Sequence, residues 1–254
     1  MKIKVSQSEI CDEYLGTEIK SLNEIFETLT ELKSKFLDHT ILVTLDDLGQ
    51  AKYTSMHGIM SHDLDETEGY DLSKVDPVAF EDGEHIGYLT TKSEFFIRRG
   101  NFLSKATSIN FSGVCCDKLT IDDHEIEVIK KIHAKPVEYI DSEILLKVVP
   151  VQTSSLAISA FPNGYFTCDL NPFENYALAK HLEQNYGYEL FGIGASLIGF
   201  KRNNLLDSSL ANKLARDIAK LYNRENDNSV IEHFLKLTQN YDYLFLKFVE
   251  YLEY

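Results

Sequence analysis

A helix with clear start and stop signals, set between strand-like runs, constrains the fold of this chain most. The helix begins at Asn171–Glu174, where an asparagine can cap the first turn and a proline follows at a position whose amide needs no partner. It ends at Gly187, because glycine readily adopts the left-handed conformation that closes helices. Strand-like runs follow at Tyr188–Ile193 and Ser196–Phe200. This alternation predicts layers of helix and sheet.

The N-terminal half has the same mixed character. Ser21 and Glu24 form a capping box before an apolar stripe that reaches Phe36, which predicts a helix. The β-branched run Thr40–Leu45 predicts a buried strand, Ala106–Cys116 alternates as a strand would, and Asp122–Ala134 has helical spacing. We therefore predict an α+β or α/β fold, with mixed and largely antiparallel sheets packed by helices and a helical C-terminus.

The chain of 254 residues is long enough for one large domain or two modest ones. One division gives an N-terminal α+β region over residues 1–140 and a C-terminal unit over 141–254. The C-terminal unit would begin with a β-hairpin made of Leu156–Phe161 and Tyr165–Asp169, followed by the helix, the strands and further helices. The alternative is one continuous domain.

The net charge of −15 restricts the partners of this protein. A negative surface repels phosphate, so we expect no binding to nucleic acid or to an anionic membrane. We expect no secretion signal, because residues 1–14 lack an apolar stretch of sufficient length, and no membrane-spanning helix, because no run of about 20 apolar residues occurs. The four cysteines, at positions 11, 115, 116 and 168, form no CxxC pair. Free thiols of this kind predict a reducing, cytoplasmic location.

Residues 61–84 contain nine acidic residues against one basic residue, Lys74. We call this stretch the acidic segment. Its glycine and proline residues predict a long loop or excursion, with a hairpin turn at Asp82-Gly83. It is either a solvated surface or a surface that presents carboxylates to a basic partner.

The glycines after Tyr188 resemble two catalytic motifs without matching either. A dinucleotide fingerprint starting at Gly192 and Gly194 needs a third glycine at position 197, which is leucine, and a following helix. A nucleophile elbow around Ser196 needs glycine at position 198, which is isoleucine. Glycines of a tight turn or bulge explain the pattern better, and we predict no cofactor.

Two groups of residues are weak candidates for chemistry. His57, His62 and Asp63 carry imidazole and carboxylate groups that suit a metal ion, although their spacing matches no strong template and their surroundings resemble a loop. Cys168, beside Asp169, lies shortly before a helix start, which could activate a thiol with His181 or His85 as base. A buried, inert cysteine is the competing interpretation.

One segment resembles a known family. The run from His181-Leu182-Glu183 through Tyr186-Gly187 to Leu190-Phe191-Gly192-Ile193-Gly194 and Leu197 resembles part of an uncharacterised bacterial family of unknown function. Leu182 stands where that family tends to have tryptophan. The resemblance is confined to residues 181–198. It implies a bacterial cytoplasmic α/β domain and no activity.

The absence of a catalytic motif and the acidic charge favour a non-enzymatic interaction protein, such as an immunity or antitoxin-like inhibitor of a basic partner. A metal-assisted hydrolase or phosphoesterase of unfamiliar motif is the first alternative. The second is a regulatory subunit that forms homo-oligomers through the aromatic C-terminal helix, Asn240–Tyr254.

Overall fold

A computed structural model describes residues 1–7, 10–116 and 118–252. Its main sheet has seven strands, which are β1 (Lys2–Ser6), β2 (Asp12–Thr17), β3 (Thr40–Val43), β6 (Ile144–Val149), β7 (Glu189–Ile193), β8 (Leu197–Lys201) and β9 (Tyr243–Lys247). A two-stranded sheet contains β4 (Phe80–Glu81) and β5 (Glu84–His85). The helices are α1 (Leu22–Lys35), α2 (Leu48–Ser61), α3 (Phe95–Ala106), α4 (Phe111–Val114), α5 (Asp123–Ala134), α6 (Pro172–Tyr186), α7 (Ser208–Leu221) and α8 (Asn228–Asn240).

The main sheet has the strand order β1-β2-β6-β3-β7-β8-β9. Its neighbouring strands are antiparallel except for β3 and β7, which are parallel. All residues of β3 and β6 are buried, as expected of central strands covered on both faces. The α+β prediction is therefore confirmed. Strands from both sides of residue 140 belong to this one sheet.

Helix α6 begins and ends at the residues that the sequence predicted. The Asn171 side chain accepts hydrogen bonds from the backbone amides of Phe173 and Glu174, both at 3.0 Å. The Glu174 carboxylate accepts one from the Asn171 amide at 2.7 Å, which completes the capping box. Gly187 closes the helix with φ of 69°.

Two predicted strand regions fold differently. Residues 106–116 contain the end of α3 and the short helix α4, because the Asn110 side chain caps that turn at the Gly113 amide. Residues 155–160 form a 3₁₀ helix in place of the first hairpin strand, and Tyr165–Asp169 forms no strand, so the predicted hairpin is absent. The Glu183 carboxylate holds the start of this helix through the hydroxyls of Ser154 and Ser155. These side-chain contacts outweigh the local alternation of apolar residues.

The C-terminus also departs from the prediction. Helices α7 and α8 are present, but the aromatic run after them forms β9, which pairs with β8. Leu244, Phe245 and Leu246 are fully buried there. Up to residue 252, the segment Asn240–Tyr254 that was proposed as a self-associating helix contains the end of α8 and the edge strand β9, and residues 253 and 254 lie outside the described residues. Tyr243 and Phe245 are residue types that favour strands, and the edge of β8 supplies the backbone hydrogen-bonding partner for this run.

The turn between β7 and β8 requires glycine for packing. A Cβ at Gly194 would lie 2.0 Å from Oδ1 of Asp46, and one at Gly192 would lie 2.7 Å from Leu45. The buried Asp46 carboxylate accepts hydrogen bonds from the amides of Ser196 and Leu197 at 2.8 and 3.0 Å. Burial raises the pKa of Asp46, while these hydrogen bonds oppose the rise. Glycine is therefore needed at positions 192 and 194 because Leu45 and Asp46, which follow β3, pack directly against this turn.

We expect Gly194→Ala to destabilise the fold by about 1–3 kcal/mol, because the added methyl group would have to displace the Asp46 carboxylate. Urea unfolding measures this loss. Gly49→Ala is the matched control, since its Cβ would meet its nearest neighbour at an ordinary 3.5 Å in the first turn of α2. Equal stability of the two variants would contradict the packing role of Gly194.

Candidate functional site

Helix α2 exposes three large apolar side chains to solvent, while its small residues face the core and Ile59 is partly buried against it. Ala51, Thr54, Ser55 and Gly58 are buried. Tyr53 and Met56 are each 48% exposed and Met60 is 65% exposed. We call these three residues the outer face of α2. This arrangement is the reverse of an ordinary surface helix, and contiguous exposed apolar groups mark interaction sites.

The close packing of α2 explains why its inner face is small. A Cβ at Gly58 would lie 2.8 Å from the carbonyl oxygen of Pro162, so only glycine permits this approach. The buried Asn163 side chain then joins the helix to its neighbours, donating to the carbonyls of Ala51 and Gly194 at 3.1 and 2.9 Å. The inner face of α2 is therefore firmly held, which leaves its outer face in a defined orientation.

Four aromatic rings are in contact beside the outer face. The centroids of Tyr53 and His57 are 4.3 Å apart, those of His57 and Tyr165 are 4.9 Å apart, and those of Tyr165 and Phe166 are 5.6 Å apart. Tyr53, Tyr165 and Phe166 are all exposed. We call these four residues the ring stack. Exposed aromatic rings suit contact with a protein partner, including its cationic side chains.

A cleft of about 930 Å³ opens on the other side of α2. Its wall on the helix includes Lys52, Met56, Ile59 and Met60, and the opposite wall includes residues of β1 and β2 together with Gln7, Ile10 and Cys11. Methionine side chains adapt to differently shaped partners, which is why they are frequent on binding surfaces. The outer face of α2 therefore forms the ridge between the ring stack and this cleft.

The floor of the cleft contains paired charges. Lys147 and Glu13 are both buried, and Nζ of Lys147 lies 2.5 Å from Oε2 of Glu13. Arg98 donates two hydrogen bonds to the carboxylate of Asp65, both at 2.6 Å. An arginine that donates to both oxygens of a carboxylate forms a stronger ion pair than one that makes a single hydrogen bond. These two pairs balance their own charges, while Lys52 and the Lys92–Asp12 pair add further charged groups beside the apolar residues of the walls.

The acidic segment begins where α2 ends. It is anchored to the core by Leu64, Val75 and Ala79, which are buried. The Asn101 side chain also donates to the backbone carbonyls of Leu64 and Glu66. The exposed acidic residues of the segment are Asp63, Glu66, Glu68, Asp71, Asp76, Glu81, Asp82 and Glu84. The acidic segment is therefore a loop that packs against the core through its apolar residues and exposes eight of its nine acidic side chains.

The hairpin within the acidic segment is held to the body by one buried carboxylate. Glu94 lies 2.6 Å from Nε2 of His85 in β5, and it accepts hydrogen bonds from the amides of Thr90 and Thr91 at 2.9 and 2.7 Å. Although burial raises the pKa of Glu94, the contacts with His85, Thr90 and Thr91 bring it below its usual value. The turn at Asp82-Gly83 joins β4 and β5 as the sequence predicted.

The candidate metal ligands occupy α2 and its end, where the sequence indicated a loop. His57 belongs to the ring stack, and His62 packs against Phe173 with ring centroids 4.9 Å apart. Asp63 is exposed. Across residues 1–7, 10–116 and 118–252, no group of three or more His, Cys, Asp or Glu side chains is arranged to hold a metal ion. The structure does not bring these three residues together as ligands.

Cys168 and Asp169 lie near the C-terminal tail. Asp169 accepts a hydrogen bond from the Glu250 amide at 3.0 Å, which gives it a structural role. Cys168 is exposed, so its interpretation as a buried cysteine is wrong. The pKa of its thiol is nevertheless raised, by partial desolvation and by the negative charge of Asp169, whereas a nucleophilic thiol needs a lowered one. The histidines considered as its base have other partners, since His181 is 2.8 Å from Asp217 and His85 contacts Glu94.

The sequence interpretation missed α2 and its outer face. Two glycines, Gly49 and Gly58, lower the helix propensity, and the inverted pattern leaves no apolar stripe to detect. One usable signal was present: Asp47 caps the helix by accepting from the Gln50 amide at 2.9 Å.

In the part of the chain that the structure describes, no helix has the length and apolar character to cross a membrane. Comparison with known proteins adds no relative, because no family model, no curated protein and no solved structure matches the chain.

Proposed function

We propose that this chain is a non-enzymatic interaction module that binds a basic protein, in the manner of an immunity or antitoxin-like inhibitor. The observation that carries this proposal is the acidic segment, which is packed onto the body while eight of its nine acidic residues stay exposed. A surface held in its binding conformation loses less conformational entropy when a partner binds.

The charge of the acidic segment supplies the attraction. Lys74 is its one basic residue, and the whole chain carries a net charge of −15. Such a surface raises the association rate with a positively charged protein and disfavours acidic partners. The same charge disfavours nucleic acid and anionic membranes. A cytoplasmic location is part of this proposal, in keeping with the free thiols of Cys115, Cys116 and Cys168.

Binding to a basic partner is tested by measuring the salt dependence of the complex. Proteins captured by the tagged chain at low salt are identified, purified and titrated by calorimetry at about 50 mM and about 300 mM salt, between which electrostatic screening increases strongly. We expect the affinity for a basic partner to fall at least about tenfold between these conditions. Capture without such a titration does not count as support.

The acidic segment is tested directly by Glu68→Gln, Glu81→Gln and Glu84→Gln combined, which removes three exposed charges. We expect this triple variant to bind the partner more weakly and with a smaller salt dependence. The control is the triple glutamine variant at Glu27, Glu31 and Glu143, three exposed glutamates on other parts of the surface. If every complex is indifferent to salt, or if both triple variants bind like the native chain, the proposed function is wrong.

A further inference from the structure

We infer that the outer face of α2 is the docking surface for an amphipathic basic helix of the partner. This inference rests on the proposed function and adds to it the place and the form of the contact. Helix α2 has 14 residues, so its exposed side spans about 21 Å. That length is enough to receive about four turns of a second helix.

The spacing of the outer face favours a helical occupant. Tyr53, Met56 and Met60 are separated by three and then four residues, so they form one row along the exposed side of α2. Rows of this spacing pack into the grooves of a second helix, as in coiled coils and helix-in-groove complexes. The cleft beside Met56 and Met60 provides depth for a large apolar side chain of that helix.

The surroundings of the outer face favour a basic occupant. The acidic segment follows α2 directly at residue 61, so the apolar row leads into a surface of exposed carboxylates. On its other side, the row meets the ring stack, whose ring faces attract lysine and arginine side chains. Because Lys52 is exposed on the cleft side of the row, a matching occupant has its apolar residues on the row and its cationic residues toward the acidic segment and the ring stack. A second copy of this chain does not match, because each copy carries the same net charge of −15.

The test uses the full chain and two synthetic peptides made of leucine and lysine, each about 14 residues long to match α2. In the first peptide the leucines lie on one helical face. In the second, of identical composition, the leucines are distributed around the helix. Fluorescence anisotropy measures the binding of each peptide at about 50 mM and about 300 mM salt. We expect the native chain to bind the one-faced peptide at least about tenfold more tightly.

The decisive variant is Met56→Gln combined with Met60→Gln, which keeps side-chain length but removes the apolar character. We expect it to lose at least about tenfold in affinity for the one-faced peptide, with little change for the other. The control is Leu37→Gln combined with Leu205→Gln, since these leucines are 83% and 53% exposed elsewhere. This control is expected to bind like the native chain. Thermal unfolding of both variants confirms that they are folded.

The results separate this inference from the proposed function. If the methionine variant binds the one-faced peptide as tightly as the native chain, or the native chain does not distinguish the peptides, the docking inference is wrong. If the variant at Glu68, Glu81 and Glu84 binds both peptides with unchanged affinity and salt dependence, the electrostatic role of the acidic segment is wrong instead. Loss of affinity in the control leucine variant would also overturn the docking inference, because binding would then follow general apolar exposure.

Discussion

Lys247→Met is expected to destabilise the protein by about 3–5 kcal/mol, because it leaves a buried carboxylate without its cation. Lys247 has no exposed surface, and its ammonium group contacts the buried Glu125 carboxylate and the Glu250 carbonyl. Glu125 also accepts a hydrogen bond from the Leu252 amide at 3.0 Å, so the pair connects α5, β9 and the C-terminal tail. Urea unfolding of the variant and the native chain measures the difference.

Two further variants test whether the loss arises from an uncompensated charge. Combining Lys247→Met with Glu125→Gln removes that charge and is expected to recover part of the lost stability. Lys236→Met removes an exposed ion pair, 2.8 Å from Glu232, and is expected to cost less than about 1 kcal/mol. A loss below about 1 kcal/mol for Lys247→Met itself would contradict the stabilising role of the buried pair.

The stability of the fold is expected to fall by about 3 kcal/mol between about pH 7 and about pH 4 through His133 alone. Burial lowers the pKa of His133 to about 4. The ring is placed to donate from Nδ1 to the Ile129 carbonyl and accepts at Nε2 from the Phe245 amide, and protonation would remove that second contact. In the unfolded chain its pKa is about 6.5.

The direction follows from which state binds the proton. Between about pH 6.5 and about pH 4 the unfolded chain gains a proton on His133 that the folded chain does not, so acid favours unfolding. His133→Gln keeps a donor and an acceptor but does not titrate. Between about pH 7 and about pH 4 we therefore expect its free energy of unfolding to fall by about 3 kcal/mol less than that of the native chain. His124→Gln, on the exposed side of the same helix, is expected to follow the native curve. Identical pH dependence of native and His133→Gln proteins would contradict the assignment.

Much of the fold was predictable because its signals are local. Ser21 and Asn171 cap helices through contacts within three residues, and Gly187 closes a helix through its own backbone conformation. The strands β3 and β6 are apolar except for Thr40 and Lys147, and all their residues are buried, as expected of central strands. Such patterns depend little on the rest of the chain.

Most of the elements that were wrong or missed depend on distant partners; α4 is the exception, because its Asn110 cap is local. The 3₁₀ helix at residues 155–160 is held by Glu183, and β9 forms because β8 offers it a free edge. The candidate site was missed for the same reason. The choice of Tyr53 and Met60 as exposed residues follows from the contact of Gly58 with the Pro162 carbonyl, which lies far away in the sequence.

The sequence by itself determined the α+β class, the start and end of helix α6 and the acidic segment. It also determined that the glycines after Tyr188 match neither of the two catalytic motifs. It could do so because caps, glycine conformations and net charge are properties of neighbouring residues or of composition. The tertiary structure alone decided that α2 turns its methionines outward and that Asp169 binds the tail. It also decided that the carboxylates of the acidic segment extend from a packed base. These features are fixed by contacts between residues far apart in the chain, whose free energies exceed the local preferences.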